Sequence, residues 1–101
     1  MNNLLKIGIS QETLDEMIRV NGLHRVAYLN KDYNIVYHIR DALKQILITD
    51  DNINSLLINM IDLFSMDYSK FIFKLKNSNL KEISDNINSD YNYAFDIFLD
   101  D

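Results

Sequence analysis

The chain has 101 residues, 48% hydrophobic and 25% charged, with a formal net charge of −5, no cysteine and no proline. Such a chain can bury one modest core, is too apolar to stay disordered, and can form neither a disulfide framework nor a thiolate metal site. No apolar run reaches the length of a membrane span, and Lys6 and Gly8 break the N-terminal apolar stretch, which argues against a secretory leader. A soluble, cytoplasmic, single globular domain is expected. With glycine only at positions 8 and 22, few tight β-turns can form, which favours an all-α fold. That fold is a small bundle or short stack of helical hairpins with about five or six helices.

After a short apolar lead-in (1–9), Ser10 has the character of an N-cap, with Glu12, Asp15 and Glu16 near the positive end of the helix dipole. Leu14, Met17 and Ile18 mark the buried face of this helix, and Asn21-Gly22 marks its end. The segment 23–31 reads as a short helix or as a strand facing 34–39. The alternative fold is therefore α+β with a small hairpin at 24–39. Asp32 is the next expected cap, before a helix that buries Ile35, Val36, Ile39, Leu43, Ile46 and Leu47 and turns His38, Asp41 and Gln45 outward. Residues 50–64 carry the strongest helical stripe: Ile53, Leu56, Leu57, Met60, Ile61 and Phe64, behind a cap at Thr49, Asp50 or Asp51. Burying those six side chains contributes about 2 kcal/mol each, so the rest of the chain is expected to pack around this helix. Asp67 caps a segment with Tyr68, Phe71, Ile72 and Leu75 on one side, although KFIFKLK also alternates as a strand would. Leu80, Ile83 and Ile87 form a short helix, and Asp90 opens a last one bearing Tyr91, Phe95, Phe98 and Leu99.

The chain also matches itself. IGISQETLDEMI (7–18) aligns with ILITDDNINSLL (46–57) at a shift of 39, and YLNKDYNIV (28–36) aligns with LFSMDYSKF (63–71) at a shift of 35. Asp-Tyr recurs at 32–33, 67–68 and 90–91. Two and a half degenerate helical-hairpin repeats, at roughly 4–40, 43–76 and 79–99, account for this, each burying its apolar face against the next. The alternative is that helix starts look alike because caps and apolar spacing are generic. Residues 46–76, with a small polar cap, then Leu56-Leu57, then Leu63-Phe64, resemble one repeat of the mitochondrial transcription termination factor family. They depart from it at Ile61, where that family usually has proline. The resemblance implies helical-hairpin architecture; the nucleic-acid binding of that family sits poorly with an acidic chain.

Catalytic and metal motifs are lacking. Asp50, Asn52 and Asn54 begin like a calcium loop, but Ser55 replaces the required glycine and Ile61 the bidentate glutamate. His24 and His38 lack cysteine or histidine neighbours at ligand spacing, and there is no phosphate-binding glycine loop or nucleophile elbow. No enzyme activity, cofactor or metal is expected.

Charge and aromatic residues point instead to binding. Residues 1–49 hold six basic against five acidic side chains, whereas 50–101 hold four lysines against ten acids. That imbalance disfavours nucleic acid and anionic membrane as partners. In the tail, Tyr91, Tyr93, Phe95 and Phe98 alternate with Asp90, Asp96, Asp100 and Asp101. Aromatic anchors with an acidic rim suit a basic, partly apolar groove on another protein; the plainer alternative is that these rings face the core. Ile58 lies about 140° from Ile53 and Phe73 about 200° from Phe71 on helical wheels, off the buried stripes. The candidate partner-binding residues are thus Ile58, Phe73, Asp90, Tyr91, Tyr93, Asp96, Phe98, Asp100 and Asp101. The expected function is that of a small acidic protein-binding module of the inhibitor, antitoxin, immunity or phage anti-defence kind. Its alternatives are a nucleic-acid-binding helical repeat using Lys70, Lys74, Lys76 and Lys81, and a structural homo-oligomer in which a second copy is the partner.

Overall fold

Four side-chain caps set the helix starts. Ser10 Oγ accepts from the Thr13 N–H at 3.1 Å, Thr49 Oγ1 from Asn52 at 3.3 Å, Asp67 Oδ1 from Lys70 at 2.9 Å and Asn79 Oδ1 from Glu82 at 3.1 Å. The computed structural model describes residues 1–100, in the order α1 (Asn2–Lys6), α2 (Gln11–Asn21), α3 (Leu23–Lys31), α4 (Tyr33–Gln45), α5 (Asp50–Asn59), a 3-10 turn (Ile61–Ser65), α6 (Tyr68–Lys76), α7 (Leu80–Ser89) and a π turn (Phe95–Leu99). The described residues are all-α, with seven α-helices where five or six were expected. The hairpin alternative at 24–39 and the strand alternative around KFIFKLK both fail, because these segments form α3, α4 and α6.

α2 lies along α5, α3 packs on α1 and α2, and α4 covers the 3-10 turn. α6 packs between α4 and the π turn. The core runs through all of these elements. Leu14, Met17, Val36, Ile39, Leu43, Ile53, Leu56, Leu57, Phe64 and Phe71 are each at most 2% exposed. Every member of the 50–64 stripe is buried or packed against this core, as its spacing predicts.

The loops before α2 and α5 share one geometry. The Gly8 N–H donates to Leu5 O and the Ile9 N–H to Leu4 O, while Leu47 donates to Lys44 O and Ile48 to Leu43 O. These are Schellman-type helix ends, which require a left-handed residue after the helix. Gly8 (φ 101°) and Leu47 (φ 70°) are those residues. Gly8 also faces Arg40, whose Nη1 and Nη2 donate to Ile7 O and Gly8 O; a Cβ at position 8 would stand 3.1 Å from Nη1.

Several local expectations are corrected. Asp32 precedes α4 but its side chain caps nothing, and its φ of −96° and ψ of 34° lie outside the extended cap conformation. Leu47, assigned to the buried face of α4, is 78% exposed. Asp90 does not open a helix: its Oδ1 accepts from the Asn92 N–H at 3.0 Å in an Asx-type turn.

Candidate protein-binding site

The helix predicted over 50–64 ends at Asn59, where α2 supplies a side-chain donor to its last turn. Asn21 Nδ2 donates to Met17 O at 3.1 Å and to Ile58 O at 2.8 Å, engaging a carbonyl that a continuing α5 would use itself. The chain then turns at Met60 (φ −139°, ψ 53°) into the 3-10 turn, which buries Ile61, Leu63 and Phe64 and leaves Asp62 outside. Arg25 of α3 reaches across to pair with Asp62.

The opposite wall is the π turn. The Phe98 ring is buried and stacks on Phe71 with centroids 4.7 Å apart, and Lys74 Nζ donates to Phe98 O at 3.0 Å. So anchored, the turn carries Phe95 and Asp96 outward, with Phe95 49% exposed. Between the two turns lies an open cleft of about 560 Å³. Met60, Ile61 and Leu99 give it apolar lining, Asn21, Asn59 and Asn92 line it with amides, and Phe95, Asp62, Asp96 and Arg25 complete it.

With Asp62 already paired to Arg25, the Phe95 ring beside Asp96 is the part of the cleft that suits a cationic group, through cation–π attraction and charge-assisted hydrogen bonds. Arg25, on Asp62, shows a guanidinium making one such contact. Among the described residues no ion pair engages Asp96. The hydrogen bond from Arg19 holds the Glu16 carboxyl below the usual carboxylate range, but Glu16 lies on α2 away from the cleft lining.

Of the predicted contact residues that are described, only Asp96 lines this cleft. Phe73 is 66% exposed on α6, and Tyr93, at 43%, lies over a separate groove beside Asn79 and Glu82. Asp90 and Asp100 are exposed, Tyr91 is half-buried, Phe98 serves the core, and Asp101 lies outside the described residues. Ile58, expected off the buried stripe, is half-buried and packed against the core. Asp62, Arg25 and Asn21 were missed as site residues, and Phe95, named among the tail's aromatic anchors, was left out of the candidates. Phe95 falls four residues after Tyr91 and so reads as core, but the π turn rotates it outward. Of the lysines, Lys70, Lys74 and Lys76 lie on α6; Lys74 holds the tail, Lys76 lines a recess between α4 and α6, and Lys81 of α7 lines a cleft beside Leu47. No group of three or more His, Asp or Glu that could hold a metal occurs among the described residues, and no helix there is long and apolar enough to cross a membrane.

Compared with protein-family models, curated proteins and solved structures, the chain matches none.

Proposed function

We propose that this chain is a small, non-catalytic binding protein that occupies a basic site on a partner protein, in the manner of inhibitors, antitoxins, immunity proteins or phage anti-defence factors. The observation that carries this reading is the cleft in which half-exposed Phe95 stands with Asp96 and Asp62. A partner's lysine or arginine would enter over the Phe95 ring and pair with Asp96. The acidic excess of residues 50–101 would steer that encounter. The scaffold reads as two and a half degenerate hairpin repeats; the matched hydrogen bonds at Gly8–Ile9 and Leu47–Ile48 support that view of its architecture.

Affinity capture from the source cells, followed by mass spectrometry and titration of the purified partner, tests the proposal. The wild-type chain should retain a basic protein. Phe95→Ala and Asp96→Lys should each weaken that complex by on the order of 2 kcal/mol, about thirtyfold. A partner bound equally well by both variants would rule out the cleft as the binding site.

A further inference from the structure

Leu47 is the described non-glycine residue with positive φ, at 70°, and its side chain is 78% exposed. A left-handed leucine is disfavoured by steric contact of its Cβ, and exposing the side chain forgoes its burial. The same chain solves the same helix end at no such cost with Gly8. The conformation is firmly held: Asn88 Nδ2 donates to Leu47 O and Asn88 Oδ1 accepts from the Thr49 N–H, each at 3.0 Å. Strain that its surroundings enforce in this way points to a use for the side chain.

A site that could receive it lies alongside. Between α4 and α6 is a recess of about 250 Å³ with Ala42, Ile46, Ile72 and Leu75 in its lining and Asp41 and Lys76 among its charged members. Leu47 itself projects beside Lys81 and Asp85, and half-exposed Leu80 lines both places. The same patch therefore bears a protruding leucine flanked by one lysine and one aspartate, and an apolar recess flanked by another such pair. That is the self-complementarity a two-fold interface requires.

We propose that two copies of this chain pair about a two-fold axis, with Leu47 of each copy seated in the α4–α6 recess of the other. Lys81 and Asp85 then face Asp41 and Lys76 of the opposite copy, so the contact is charge-matched although each chain carries −5. The cleft at Phe95 involves other residues, so each copy can keep its own partner site.

Sedimentation equilibrium of the full chain tests this. A monomer–dimer equilibrium with a dissociation constant of about 50 μM or tighter is expected. Leu47→Gly should weaken it at least about tenfold while leaving the melting temperature within a few degrees, because glycine adopts this φ without strain. Asp85→Lys should also weaken it, and Lys76→Asp in the same chain should restore it. A chain monomeric at about 500 μM would overturn the proposal. A dimer undiminished in Leu47→Gly, or an Asp85→Lys defect that Lys76→Asp fails to restore, would do the same.

Discussion

Leu57 has no exposed surface, and its helix α5 packs against α2 and the 3-10 turn. Leu57→Asp would place a carboxylate there with no partner, at a cost of several kcal/mol against a total stability of roughly 5–10. Loss of the helical far-UV circular dichroism at 25 °C is the expected result. A folded variant with an unchanged melting curve would show that α5 does not lie at the centre of the core. Leu57 was identifiable from the sequence because its neighbours at three- and four-residue spacing define a face. Leu47 was misassigned because it continues the apolar spacing of α4. The self-alignment held the correcting signal, for a shift of 39 sets Leu47 against Gly8, the position where the chain must turn left-handed.

At the scale of elements, three local caps were read correctly, the Asp32 cap was not, and tertiary signals were missed. The Ser10, Thr49 and Asp67 caps need only residues three apart, and each forms as its sequence implies. The last turn of α5 takes its side-chain donor from Asn21, far away in sequence, a contact that periodicity could not show when it carried the helix past Asn59. The tail failed for a related reason: a π turn changes which residues share a face, and nothing in SDYNYAFDIFLDD signals one. Asn21→Ala tests the first of these points. Losing the bonds to Met17 O and Ile58 O should cost about 1–3 kcal/mol, with a fall in melting temperature of roughly 5–20 °C. A drop of less than about 1 °C would show that the α5 terminus is set by the chain after it, and not by this amide.

At the scale of the whole molecule, the all-α class and most of the core followed from composition and spacing, whereas the candidate site did not. The cleft brings together α2, α3, the 3-10 turn and the π turn, and no pattern along the chain relates Asp62 to Asp96. What the sequence did reveal was the kind of surface, acidic and aromatic near the C-terminus. The central claim is that this cleft takes a cationic group. Titrating the 15N-labelled chain with an arginine-rich peptide, followed by amide chemical shifts, tests it most directly. Saturable shifts should concentrate at residues 59–62 and 92–99 and vanish in Asp62→Asn/Asp96→Asn. Shifts spread evenly over all the exposed acids, or unchanged by that double substitution, would contradict the claim.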